Sequence, residues 1–214
     1  FFQAEDAIRD PLWSRGLGDV YKRQVKILIE KPISSLSIDE YNWLVKTALH
    51  YKIFDESISK PIITKEILKE LLNRIDIIPV SLALAQSSLE TGWGTSRFSI
   101  DGNALFGQWT WKTNKGIRPK QRAPGTKHSV LRFSHLAESI EDYTHNLNSS
   151  SHYRSFRSKR SALREAGYPI DIWAQNLVEE LKKYSSNSEH YISTIKSIIR
   201  ENQLTDFDNY SLSP

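Results

Sequence analysis

The stretch Ile77-Ile-Pro-Val-Ser-Leu-Ala-Leu-Ala-Gln-Ser-Ser-Leu89, followed by Glu90-Thr-Gly-Trp-Gly94, decides the fold. From Ile77 to Leu89 it carries no charge. Pro79 suits a first helical turn, where its missing N–H costs nothing. From Val80 on, small or aliphatic residues occupy nearly every face, the pattern of a buried helix rather than an amphipathic one. Glu90 is the first charge the helix meets, close to its C-terminal end, and Gly92 and Gly94 then stop it. Desolvation and the negative end of the helix dipole both disfavour the Glu90 anion and raise its pKa. A carboxyl still protonated near neutral pH is what a general acid requires. At about 100° per residue, Gln86 and Ala83 share the Glu90 face and Ser87 lies beside it. Leu82, Leu89, Leu84 and Val80 wall this narrow polar stripe, as they would the floor of a cleft. The plainer reading is that a glutamate near a helix end is a solvated surface residue.

The chain totals leave room for this helix to be buried. The length suits one domain with at most a small appendage. No apolar run reaches the roughly eighteen residues of a transmembrane helix. Without cysteine there is no disulfide, zinc–thiolate site or thiol nucleophile. The formal charge of +4 permits an acidic partner without demanding one. Methionine is absent even at position 1, as expected of a fragment or a processed product. Residues 1–24 resemble translated sequencing-adapter sequence, most plainly in Asp19-Val-Tyr-Lys-Arg-Gln24, and are expected to stand outside the fold. The alternative is an ordinary N-terminal arm.

Outward from the Glu90 helix, local signals place the other elements. Val25 to Glu30 reads as a short strand or extended lead-in, and residues 25–63 as an N-terminal helical lead-in. Ser37-Ile-Asp-Glu40 is a capping box opening a helix to about Tyr51. Thr64 caps a second helix with Ile67, Leu68, Leu71, Leu72 and Ile75 inward. Gln108-Trp-Thr-Trp-Lys112 and His128-Ser-Val-Leu-Arg-Phe133 are β-type runs around a loop with Gly116, Pro119, Pro124 and Gly125, which predicts a hairpin flap. Ser134 caps a helix to about Asn148, and a shorter helix runs from Ser161 to Ala166. Pro169 restarts the chain, and Ile170, Trp173, Leu177, Leu181 and Tyr184 form one stripe. Ser186-Asn-Ser-Glu189 is a second capping box, leading Ile192, Ile195, Ile198 and Ile199 inward. Residues 205–214 read as a frayed tail.

Leu84-Ala-Gln-Ser-Ser-Leu-Glu-Thr-Gly-Trp-Gly-Thr-Ser-Arg-Phe98, followed by Asn103-Ala-Leu-Phe-Gly-Gln-Trp109, closely resembles the glucosaminidases of glycoside hydrolase family 73. The Phe-Gly-Gln-Trp ending and Tyr143-Thr-His-Asn-Leu147 look most like the Bax-protein branch. The likeness covers roughly residues 64–204. It implies a mostly α-helical α+β domain, a lysozyme-like fold with a small β-hairpin flap. In the family the Glu of this motif is the general acid, which here is Glu90. Asn103, Phe106 and Gly107 match the cleft motif, and Tyr184-Ser185 matches a Tyr close to the catalytic carboxylate. Taken as core instead, Tyr184 would simply end an apolar stripe. Gln86, Gln108 and Trp109, with Trp111, are further substrate-binding candidates, sugar stacking being open to the tryptophans. Trp93 and Phe98 are expected to pack.

The resemblance implies a peptidoglycan endo-β-N-acetylglucosaminidase, acting as a monomer on glycan strands in the periplasm or outside the cell. Its export signal is expected upstream of residue 25. A lytic transglycosylase or muramidase on the same fold, and a non-catalytic wall-binding module, are the alternatives. One departure stands out. Many relatives carry a second Glu on the hairpin, whereas residues 102–137 hold seven Lys or Arg and no acid. Asp101, Glu138, Glu141, Asp142 and Asp171 remain as candidates. The basic run (Lys112, Lys115, Arg118, Lys120, Arg122, Lys127, Arg132) fits either a solvated loop or contact with anionic wall polymer. No nucleic-acid motif accompanies it. No cofactor or metal is expected, because the six histidines are scattered and no His-Glu-x-x-His occurs. No Gly-x-Ser-x-Gly elbow or phosphate loop occurs either.

Overall fold

The computed structural model describes residues 20–55, 57–111, 116–119, 128–182, 184 and 187–210. It is mostly α-helical with one small antiparallel sheet, the predicted α+β class. Two apolar cores share the work of burial. The first is built by α1 (residues 20–29), α2 (Ile38–His50) and α3 (Lys65–Arg74). Val25 and Leu28 meet Leu44, Leu68, Leu71 and Ile75 there. The expected strand at Val25 to Glu30 is therefore a helix. Val25 and Leu28, three apart, face inward, while Ile27 between them is exposed. This helix also crosses the boundary drawn at residue 24, since Lys22 is buried and ion-paired with Asp76.

The predicted caps of α2 and α3 are in place. Ser37 Oγ accepts from Glu40 N at 3.1 Å, and Glu40 returns the bond to Ser37 N at 2.9 Å. Thr64 Oγ1 accepts from Ile67 N at 3.3 Å.

The second core surrounds α4 (Val80–Thr91). It takes residues from α6 (Leu136–Ser149), α7 (Arg154–Glu165), α8 (Trp173–Leu177) and α9 (Ser188–Glu201), with short 3-10 turns at Ile170–Ile172 and Val178–Leu181. Pro79 precedes the first turn of α4 as its N-cap and supplies no capping side chain. The cap comes from far along the chain: Asp208 accepts from Ser81 N at 2.9 Å and from Ser81 Oγ at 2.5 Å. A carboxylate at the positive end of a helix is favourably placed. The first part of the expected tail is therefore ordered: Leu204–Asn209 is a 3-10 turn with Leu204 and Asp208 buried against α4, while residues 211–214 lie outside the described residues.

Three further boundaries move. His135 rather than Ser134 caps α6, while Ser134 N donates to Glu138 Oε2 at 2.7 Å. Helix α7 begins seven residues before the predicted Ser161, because two of its inward positions are Arg157 and Arg160, both fully buried. Asn187 stands at the N-cap of α9 without a side-chain capping bond, and Ser186 lies outside the described residues.

The flap is a three-stranded sheet rather than a plain hairpin. β3 (Ser129–Leu131) is central, flanked by β1 (Trp109–Thr110) and β2 (Gly116–Ile117). Of the basic run, Arg118 and Arg132 are exposed, whereas Lys112, Lys115, Lys120, Arg122 and Lys127 lie outside the described residues, as do Pro124 and Gly125. Between α4 and the sheet sits α5 (Arg97–Gly102), capped by Ser96 and closed by Asn103 in the left-handed region.

Candidate active site

Helix α4 ends at Gly92 with φ +56°, a left-handed cap that glycine adopts without the Cβ penalty. Glu90 lies in its last turn and is exposed to solvent. It lines a pocket of about 290 Å³ together with Leu89, Tyr184, Asn187, His190, Tyr191 and Thr194. Burial pushes the Glu90 pKa up, and a hydrogen bond from the Tyr191 side chain opposes this without reversing it. None of the described Asp or Glu side chains is among the groups acting on this carboxyl.

Opposite the pocket, the turn after α5 brings backbone against the acid. Gly107 has φ +62°, and a Cβ built there would stand 3.5 Å from Glu90 Oε2. That is ordinary contact, but any side chain at this position would strain the backbone in its left-handed conformation. Tyr184 fixes the same turn, its hydroxyl donating to the Phe106 carbonyl at 3.0 Å. Phe106 is buried and stacks on Tyr143 with ring centroids 3.8 Å apart.

The candidates divide into groups. Glu90 and Tyr184 line the pocket, and Gly107 lies against the Glu90 carboxyl in the turn whose Phe106 carbonyl Tyr184 holds. Gln86 is wholly buried behind Glu90, between Tyr143 and Tyr191, so it serves the site from inside. Asn103 holds the loop by donating to the Phe133 carbonyl at 3.1 Å, and Gln108 donates to the Ser139 carbonyl at 3.0 Å. Trp109 is 60% exposed and stacks on His128 at 4.0 Å. Trp111 is exposed as well, and Ser185 lies outside the described residues. Trp93, expected to pack, is instead 58% exposed, in a left-handed conformation at φ +59°. Phe98 is half-buried beneath the Arg97 guanidinium.

Sequence reasoning missed Tyr191. It lies four residues before Ile195 and eight before Ile199, on the inward stripe of α9. A phenol on a buried stripe needs a partner for its hydroxyl, which was the available signal.

The five candidates for a second acid lie elsewhere. Glu138 is bound to Ser134 N at the start of α6, Asp142 lies by His145, Lys52 and Gln108, and Asp101 and Glu141 are exposed. Asp171 occupies the 3-10 turn before α8. Among the described residues no group of three or more His, Cys, Asp or Glu is arranged to hold a metal ion.

The fold and site together define a mostly helical α+β domain whose central buried helix ends at a pocket lined by Glu90, a carboxyl raised in pKa. Comparison with known proteins gives that class a family. The family described as mannosyl-glycoprotein endo-beta-N-acetylglucosaminidase matches residues 65–204. The chain is 36% identical over 133 residues to protein bax of Escherichia coli (strain K12), which covers 62% of this chain and 46% of that protein. It thus spans about half the length of this curated relative. No solved structure matches. The chain belongs to the glucosaminidase family, a family of glycosidases.

Proposed function

We propose that this domain is an endo-β-N-acetylglucosaminidase that cuts the β-1,4 bond after N-acetylglucosamine in peptidoglycan, with Glu90 as the general acid. The observation that carries this reading is the Glu90 carboxyl, its pKa raised by burial, at the mouth of a pocket next to Gly107. The pocket volume sits at the lower end of the range for ligand sites, roughly 300 Å³ upward. The exposed rings of Trp93, Trp109 and Trp111 offer faces for sugar stacking. The domain acts as a monomer on glycan strands, in the periplasm or outside the cell.

With no second carboxylate among the described residues acting on Glu90, the 2-acetamido group of the substrate supplies the nucleophile beneath the anomeric carbon. It is covalently held near that carbon, so little extra ordering is needed. Glu90 protonates the leaving oxygen and then deprotonates the incoming water.

The lone carboxyl also favours a second reading. A lytic transglycosylase needs one acid/base, because the muramic 6-hydroxyl replaces water. Mass spectrometry of peptidoglycan digests separates the readings. New reducing-end N-acetylglucosamine supports the glucosaminidase, reducing-end or anhydro-muramic acid supports the alternative, and no cleavage points to a binding module.

Two results are expected from this assignment. Tyr184→Phe keeps the ring and deletes the bond to the Phe106 carbonyl, loosening the turn that sets Gly107 against Glu90. Turnover should fall about tenfold, some 1.4 kcal/mol, with little change in folding. Unchanged kinetics would return Tyr184 to a packing role. The second concerns pH. The acid must be protonated, so kcat/KM should fall as pH rises through a Glu90 pKa above the ordinary carboxyl range. An alkaline limb at an ordinary carboxyl pKa would contradict the assignment.

A further inference from the structure

Behind Glu90 runs a hydrogen-bond chain that leads away from solvent. Tyr143, wholly enclosed in α6, donates its hydroxyl proton to Gln86 Oε1 at 2.6 Å. Gln86 Nε2 donates to the Tyr191 hydroxyl oxygen at 2.8 Å. A primary amide has one accepting end and one donating end. With Oε1 held by Tyr143, the NH₂ faces Tyr191, whose oxygen must accept. A phenol carries one proton, and that of Tyr191 is left for Glu90, beside which it lines the same pocket and on whose carboxyl it acts as a donor. The chain therefore has a direction, from Tyr143 through Gln86 and Tyr191 to Glu90. All three supporting side chains are buried.

A carboxyl oxygen that already accepts a phenol proton is a poor seat for the acid's own proton. The acidic proton then belongs on the other oxygen. We propose that Tyr191, aimed by Gln86 and Tyr143, is a positioning residue that holds one Glu90 oxygen as an acceptor and directs the acidic proton to the other. This rests on the reading of Glu90 as the general acid. It assigns Gln86 a place in that machinery without contact to substrate, and gives a reason for a buried polar trio behind Glu90.

The titratable groups facing Glu90 are Tyr143 from α6, Tyr153 at the start of α7, Tyr184, and Tyr191 and His190 from α9. Burial raises the pKa of all four tyrosines, so they stay neutral through the working range. Tyr191 thus acts on Glu90 as a neutral donor, and its loss should leave the acid weaker.

The test is carbon NMR titration of the Glu90 carboxyl, assigned with Glu90→Gln, alongside pH–rate profiles for wild type, Tyr191→Phe and Tyr143→Phe. Tyr191→Phe is expected to raise the Glu90 pKa by about half to one unit as the bond to the anion is lost. The alkaline limb of activity should move up by the same amount, with kcat at the optimum down about tenfold. Tyr143→Phe, which frees the Gln86 amide, should move both in the same direction by less. A Glu90 titration unchanged in both variants overturns the proposal, even if activity falls, because packing alone would then explain the loss. A shifted titration with an unmoved alkaline limb overturns it as well, and separates that failure from an error in the acid assignment, for which Glu90→Gln would retain turnover.

Discussion

Glu90→Gln is expected to lose about 10²-fold or more in turnover on wall glycan while folding as well as the wild type. The amide keeps the shape of the side chain and the stabilising term that burial gives a neutral group, but has no proton to donate. At least about 2.7 kcal/mol of transition-state stabilisation should disappear. The stability side follows from the direction of the pKa shift. A carboxyl whose folded pKa is raised contributes stability below its unfolded pKa, and that contribution is lost as pH rises through the folded value. Above the folded pKa the ionised Glu90 is thus a cost to the fold, and there Glu90→Gln should melt at the same temperature or slightly higher. A variant that is both inactive and unfolded would contradict this account of the carboxyl.

The second large effect concerns what holds α4 in place. Asp76 is buried immediately before the uncharged run and accepts from Ile77 N at 2.8 Å. Arg164 binds its two oxygens at 2.9 and 2.5 Å, with Lys22 and Arg160 also close. Arg160 in turn donates to the carbonyls of Asn73, Asp76 and Ile77 and to Asn148 Oδ1. This polar knot joins α3, α6 and α7 at the point where the chain enters α4. Asp76→Ala would leave a wholly buried guanidinium without its counter-charge, a change that typically costs about 3–5 kcal/mol. Equilibrium denaturation should show it, and a loss below about 1 kcal/mol would mean that the carbonyl acceptors alone suffice. Burial pushes the Asp76 pKa up, but Arg160, Arg164 and Lys22 outweigh it and hold the carboxyl below its usual value. For a depressed carboxyl, the stability is present above the unfolded pKa, about 3.9, and is lost as pH falls through the folded value. The gap between wild type and Asp76→Ala should therefore narrow only in acid.

These two sites show where the sequence was readable. Glu90 was visible because the signals around it are local: an uncharged run, a terminal carboxylate and a left-handed glycine. The caps of α2 and α3 were visible for the same reason. What escaped depends on partners distant in the chain. Arg157 and Arg160 are ordinary surface residues until main-chain carbonyls close around them, and for Arg160 these lie more than 80 residues away. The cap of α4 comes from Asp208, 127 residues away, in a segment whose composition reads as a tail. Gln86 shares the Glu90 face by helical spacing, but only the approach of α6 and α9 turns it from a cleft residue into a support. Val25 to Leu28 satisfies both a strand and a helix pattern over so few residues, and packing against α2 and α3 decides between them.

The central claim is that Glu90 gives its proton to the leaving oxygen. Its most direct test is the dependence of the Glu90→Gln defect on the leaving group, measured with aryl β-glycosides of N-acetylglucosamine oligomers. A general acid matters most when the departing oxygen is basic and little when it leaves readily as an anion. The defect should be about 10²-fold or more for alkyl and unactivated phenyl leaving groups. In kcat/KM, which reports only the steps up to departure of the leaving group, it should shrink to within about tenfold for dinitrophenolate, which needs no proton. An equal loss across the series, whatever the basicity of the leaving oxygen, would show that Glu90 does some other work in this cleft.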